Sequence, residues 1–142
     1  MSIEGVYKTE LNIIPTQGGK VFHGFKNLST EEKLDIHEVY FSTINYKQIR
    51  GWKLHKKMTL NLVVPIGKVR ISLIKEDINH NNKLIKYEEI LSQDPYFRLT
   101  IPPGIWFAFE GLGNGQNLVC NIANFLHDPD EVKRKDINFF KI

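Results

Sequence analysis

The segment Arg50-Gly51-Trp52-Lys53-Leu54-His55-Lys56-Lys57-Met58-Thr59 holds the densest polar chemistry in the chain, and it runs straight into the apolar stretch Leu60 to Pro65 and a turn at Gly67. If Trp52 to Lys57 is extended, period-two alternation puts Lys53, His55 and Lys57 on one face and Trp52, Leu54 and Lys56 on the other. Cations that share a face lower one another's pKa. Turned into a cavity, such a face suits an anionic ligand or proton transfer. Turned outward, it is a solvated stripe, and alternation alone leaves both readings open.

Other candidates are scattered. His127 precedes Asp128-Pro129-Asp130-Glu131, a run marked as a turn that caps a helix, so surface capping competes with a site role. Over His37 to Ile44, His37, Val39 and Phe41 share one strand face while Glu38 and Tyr40 share the other; either could turn inward. His80 lies in the polar run Asp77 to Lys83, a surface hairpin connection, and His23 has no evident partner. Trp106 follows Pro102-Pro103-Gly104, where an aromatic can stack on a nucleotide base or seal the end of the fold. The glycine-rich stretch Gly111 to Gly115 has no helix after it, as a phosphate-binding loop would need, so it is expected to connect strands. Cys120 is the only cysteine, which excludes an intrachain disulfide and a multi-thiolate metal site.

These residues need a scaffold, and its pattern is mostly β. Glycine and proline separate runs too short and too β-branched or aromatic to be mainly helical. Candidate strands are Lys20 to His23, His37 to Ile44, Trp52 to Leu54, Leu60 to Pro65, Lys68 to Ile74, Tyr87 to Leu91, Phe97 to Ile101, Trp106 to Glu110 and Asn117 to Ile122, spaced as in a sandwich or barrel. Helical turns are expected at Thr30 to Asp35 and Asp130 to Asp136. Leu60, Leu62, Val64, Val69, Ile71, Leu73, Leu99 and Ile101 alternate as core residues between facing sheets. With 142 residues, 42% hydrophobic and 25% charged, the chain is expected to form one domain over residues 1–142. Lys plus Arg is 19 against 16 for Asp plus Glu, and the dispersed net charge of +3 does not suggest nucleic-acid binding. No apolar run approaches the roughly 18 residues of a membrane span, and the first residues lack signal-peptide character. A soluble cytoplasmic protein is the expectation.

Two motifs together suggest a family. Arg50-Gly51 with His55, followed by a β run and Gly67, and then Ile101-Pro102-Pro103-Gly104-Ile105-Trp106-Phe107-Ala108-Phe109, resemble the small cupins related to dTDP-4-dehydrorhamnose 3,5-epimerase. That family also includes the dTDP-4-keto-hexose 3,4-ketoisomerases, and the likeness runs from about Val39 to Glu131. The resemblance implies an all-β cupin jelly-roll barrel of two antiparallel sheets, homodimeric, sometimes with the N-terminal strand exchanged between protomers. It implies a lumen that binds a nucleotide-diphosphate 4-keto sugar and moves protons beside the ketone with no metal or other cofactor, in surface-polysaccharide sugar synthesis.

Residue by residue, the resemblance makes Arg50 a diphosphate ligand, a task suited to a guanidinium fork. Lys53 stands where the epimerases have their catalytic histidine. His55 matches the second histidine of the ketoisomerase pattern Arg-Gly-x-His-x-His-Lys-Lys, with Lys56 and Lys57 after it. A neutral imidazole can take the proton α to a ketone near neutral pH, and Lys53 would either act as base once desolvated or stabilise the enolate charge, the second being favoured. Tyr40 lies near an upstream tyrosine of the ketoisomerases, which places Glu38 and Tyr40 toward the site and leaves His37 structural. His127 falls where the epimerases carry their general-acid tyrosine, and Phe107 replaces the histidine usual in the second motif. Lys57, Glu38 and Trp106 are the further expected substrate contacts. Metal-dependent cupins need imidazole and carboxylate ligands; counted back from Gly67, their slots hold Lys53, His55 and Leu60, so no tightly bound catalytic metal is expected. A cupin that binds a nucleotide sugar without turning it over is the alternative.

Overall fold

The computed structural model describes residues 2–26 and 35–141, so the turn expected at Thr30 to Asp35 lies, except for Asp35, outside the described residues. In chain order the strands are β1 (Tyr7–Glu10), β2 (Ile13–Thr16), β3 (Gly19–Phe22), β4 (Glu38–Thr43), β5 (Ile49–His55), β6 (Leu60–Ile66), β7 (Val69–Asp77), β8 (Lys83–Leu91), β9 (Phe97–Ile101), β10 (Trp106–Gly111), β11 (Leu118–Ala123) and β12 (Val132–Arg134). They form two five-stranded antiparallel sheets, ordered β1-β9-β6-β11-β4 and β12-β5-β10-β7-β8, with β2 and β3 as a separate hairpin. This is the expected all-β jelly roll.

The alternation of the sequence accounts for the layers. Leu60, Leu62 and Val64 of β6, Leu99 and Ile101 of β9, and Val69, Ile71 and Leu73 of β7 meet in one buried cluster between the sheets. On β4 the pattern is strict: Glu38, Tyr40 and Ser42 are half-buried while Val39, Phe41 and Thr43 are exposed. Strand β6 departs from alternation because both of its faces are covered. Val63 packs outward with Tyr96, Cys120 and Ile122 against Leu11, Ile13, Phe22 and Phe25, contributed by the N-terminal hairpin and its flanks.

Two loops are fixed by one side chain. The β6–β7 turn contains Gly67 at φ +86°, where a Cβ would sit 2.4 Å from Asn117 Oδ1. That oxygen accepts the N–H groups of Lys68 at 2.9 Å and Gly113 at 3.1 Å, while Asn117 Nδ2 donates to the carbonyls of Gly113 and Ile44. The glycines from 111 to 115 therefore connect β10 to β11, as expected from the missing helix.

The C-terminal region differs from expectation. Asp128 caps a single 3-10 turn, Pro129–Glu131, by accepting the Asp130 N–H at 3.0 Å, but no helix follows. The chain instead extends as β12 along the open edge of β5, with Val132 opposite His55 and Arg134 opposite Lys53. Cross-strand pairing along an unfilled edge outweighs the local turn signal, which spans only one turn.

Candidate active site

Strand β5 carries the site, and its path depends on Gly51. The pairing of β10 with β5 slips in register between Phe107 and Ala108. At that point the strands approach so closely that a Cβ on residue 51 would lie 2.6 Å from Ala108 Cβ. The glycine of the Arg-Gly motif is thus a packing requirement that lets β5 turn Lys53 and His55 inward. Trp52 points the other way and is buried with Ile74, Trp106, Ala108 and Phe140.

Inward lies a cavity of about 330 Å³. Polar groups at its wall include Arg50, Lys53 and His55 from β5, Glu38 and Tyr40 from β4, Asn121 from β11, His127 and Arg134; Leu60, Leu62, Phe107, Phe109 and Val119 make it apolar elsewhere.

His55 is held on two sides. Its Nδ1 hydrogen-bonds Glu131 Oε1. The other carboxylate oxygen, Oε2, accepts the backbone N–H groups of Lys57 at 2.9 Å and Met58 at 3.3 Å. The Phe107 ring stacks on the imidazole, with centroids 5.6 Å apart and planes within 9°. Glu131 is 2% exposed, and burial by itself would push its carboxyl pKa up; the His55 contact and the Lys57 and Met58 amides outweigh that and hold it below the ordinary value. An ionised Glu131 is an acceptor for Nδ1–H, the tautomer in which a neutral imidazole keeps its lone pair on Nε2.

Tyr40 lies across the barrel on the opposite sheet. Its hydroxyl accepts from Asn121 Nδ2 at 2.8 Å and faces Met58 Sδ at 3.9 Å. Burial pushes its pKa up, and although the Asn121 contact works against this, the charges of Glu38 and Glu131 add to the rise, so the phenol keeps its proton. Asn121 is fixed in turn, because its Oδ1 accepts the Asn61 N–H at 3.1 Å. Lys53 shows the reverse effect: burial, then the neighbouring charges of Arg134 and Arg50, lower its pKa.

The structure thus gathers Arg50, Lys53, His55, Glu38, Tyr40 and His127 around one cavity. His127 is exposed at its edge, where its backbone N–H donates to Glu38 Oε2 at 3.0 Å. Two expected contacts lie elsewhere. Trp106 faces the opposite side of its sheet, sealed among Trp52, Ile74 and Phe140, because inward alternation on β10 passes to Phe107. Lys57 comes after the end of β5 at His55; its ammonium sits 5.7 Å from the Phe125 ring, and its contribution to the site is a backbone N–H. Glu131 and Arg134 escape the sequence reading, since both depend on β12 pairing with β5. The one local signal for Glu131 was a carboxylate after Asp-Pro, and that also describes an ordinary helix start. Among the described residues, no group of three or more His, Cys, Asp and Glu side chains comes together that could hold a metal.

No protein-family model matches the sequence, and no curated protein matches it. Solved structures do. A dTDP sugar isomerase from Desulfovibrio desulfuricans superposes with a TM-score of 0.89 at 29% identity, over 96% of this chain and 87% of that one. The dTDP-4-dehydrorhamnose 3,5-epimerase of Elizabethkingia anophelis gives a TM-score of 0.76 at 15% identity, over 97% of this chain and 79% of that one. A variant of the 3,4-ketoisomerase QdtA from Thermoanaerobacterium thermosaccharolyticum, in complex with TDP-4-keto-6-deoxyglucose, gives 0.75 at 23%, over 94% and 90%. The last two likenesses are of fold. All three neighbours lie in the family that the Arg-Gly and Pro-Pro-Gly motifs resemble.

Proposed function

We propose that this protein is an isomerase of a nucleotide-diphosphate 4-keto hexose, working by metal-independent proton transfer through an enolate. The observation that carries the proposal is the His55–Glu131 pair: a buried carboxylate fixes the tautomer of an imidazole whose second nitrogen faces a cavity rich in cations. Its similarity to a dTDP sugar isomerase across nearly the whole chain supports the same reading.

The 4-ketone acidifies the adjacent C–H. His55 Nε2 takes that proton, and the electron pair of the broken C–H bond passes into the enolate, whose oxygen is stabilised by the Lys53 ammonium. Proton return to the opposite face of the same carbon inverts it, whereas enediol tautomerisation moves the ketone; both are isomerisations with no net redox change. Tyr40, kept protonated by its surroundings, is the proton donor on the far wall, and His127 is a second candidate at the cavity edge. Arg50 holds the diphosphate, and Glu38 is a candidate acceptor for sugar hydroxyls. We assign the activity to surface-polysaccharide sugar supply in the cytoplasm. No helix among the described residues is long and apolar enough to cross a membrane.

The functional unit we propose is a homodimer. Val39 and Phe41 are 49% and 64% exposed on β4, an edge strand, where a bare apolar surface invites a second copy.

Incubation with dTDP-4-keto-6-deoxyglucose in deuterated buffer, followed by mass spectrometry, tests the reaction. Solvent deuterium should enter the sugar, and His55→Asn should reduce its rate by about 10²- to 10⁴-fold. Nucleotide-sugar binding with no incorporation would leave a binding protein that has lost the chemistry, as Phe107 and Lys53 at two histidine positions of the family would then indicate.

A further inference from the structure

We propose that Arg134 is a ligand-binding residue of this site, the second arm of a two-guanidinium clamp that, with Arg50, grips the diphosphate of a nucleotide sugar on either side of Lys53. The inference rests on the nucleotide-sugar reading of the cavity and adds to it a residue and an element, β12, that the reading does not require.

Register places the side chain. Strand β12 pairs antiparallel with β5, so Val132 lies opposite His55 and Arg134 opposite Lys53. Directly opposed residues project to the same face of a sheet. Val132 and Arg134 accordingly line the cavity with His55 and Lys53, while Lys133 between them does not. Arg134 sits on the sheet edge, so it also borders the hollow on the outer face lined by Glu76, Trp106 and Lys133.

The cations around the cavity are unmatched. Arg50, Lys53 and Arg134 face one cavity, and among the described residues none of the three makes an ion pair with a carboxylate; Arg50 donates only to the Thr43 carbonyl, at 3.1 Å. The nearby carboxylates are engaged elsewhere. Glu131 is bound to His55 and two amides, and Glu38 accepts the His127 N–H. The lowered pKa of Lys53 records burial first, then repulsion from Arg134 ahead of Arg50. Three unmatched cations around one cavity are the complement of a compact polyanion, and a diphosphate diester carries two charges on oxygens spaced for guanidinium forks. Anion binding neutralises the two arginines and leaves the Lys53 ammonium free for the ketone. Since Glu131 immediately precedes β12 and Arg134 is its last residue, this short strand orients the base at one end and holds the diphosphate at the other.

Calorimetric titration of the full-length protein with dTDP and with inorganic pyrophosphate tests the clamp. Wild type should bind both, Arg134→Ala should weaken both at least tenfold, and Arg134→Lys, which keeps the charge without the fork, should recover part of the loss. Lys133→Ala, one residue away on the other face, should stay within twofold of wild type. If Arg134→Ala fails to fold, Arg134→Lys alone should still bind several-fold more weakly than wild type. Arg134 variants that fold and bind both ligands as wild type does would overturn the proposal, as would wild type binding neither. Wild type that binds pyrophosphate but not dTDP, with loss in Arg134→Ala, would keep the clamp and remove the nucleotide-sugar reading.

Discussion

Glu131 ties together His55, two backbone amides and the turn that leads into β12, so its substitutions separate chemistry from stability. Glu131→Ala leaves His55 Nδ1 and the Lys57 and Met58 amides without their acceptor, and it should cost about 3 kcal/mol, read as a fall in melting temperature. Glu131→Gln retains an acceptor and should fold better while lowering kcat, because a neutral amide does not stabilise the imidazolium formed during turnover. Linkage sets the pH window. The Glu131 carboxyl is depressed in the folded state, so its stabilisation is complete above the ordinary value of 4.5 and is lost as pH falls through the lower folded value. The difference in melting temperature between wild type and Glu131→Gln should therefore be flat above about pH 5 and shrink below it; a difference unchanged down to pH 3 would show that no such linkage exists. Much of this site was legible at the level of residue type. Lys53 and His55 share a face by simple alternation, and Glu38 and Tyr40 share another. Glu131 and Arg134 were not legible, because their roles come from a pairing partner about eighty positions away.

At the level of elements, β5 and β10 depend on a close approach at the register slip. Gly51→Ala would place a methyl 2.6 Å from the Ala108 side chain, against the β10 backbone at Ala108 Cα and the Phe107 carbonyl, and should destabilise the fold by about 1–3 kcal/mol. The same variant should reduce activity beyond what its melting temperature explains, since it displaces the strand that aims Lys53 and His55; unchanged kinetics in the folded fraction would contradict this. Strands with clear alternation or dense apolar content were readable: Phe97–Ile101 falls where expected, and β6, β7, β8, β10 and β11 differ by one to four residues at their ends. The hidden strands are short and polar. Tyr7–Glu10 and Ile13–Thr16 contain Lys8, Thr9, Glu10 and Pro15, and β12 is Val-Lys-Arg; each is a strand because a neighbouring edge or its own hairpin partner supplies the hydrogen bonds.

For the molecule as a whole, two sheets close over Leu62, Leu99, Ile71 and their neighbours around the cavity that His55 lines, and among the described residues the β4 edge exposes Val39 and Phe41. The edge belongs to the dimer proposal. Sedimentation over a range of concentrations should show a dimer, and Phe41→Asp, which puts a charge on that edge, should shift it toward monomer without lowering the melting temperature of the isolated subunit. A wild-type monomer at all concentrations would remove the proposal. The family resemblance covered most of the barrel, yet the N-terminal hairpin that buries the outer face of β6 and the C-terminal residues Ile137 and Phe140 that pack on Trp52 and Trp106 lie outside its motifs.

The central claim is that His55 removes a carbon-bound proton next to a sugar ketone. Proton NMR of the protein with nucleotide 4-keto hexoses in deuterated buffer, following the C3 and C5 signals over time, tests it most directly. The account predicts progressive loss of at least one of these signals in wild type and its persistence in His55→Asn. Ligand-induced shifts with both signals intact in wild type would contradict it.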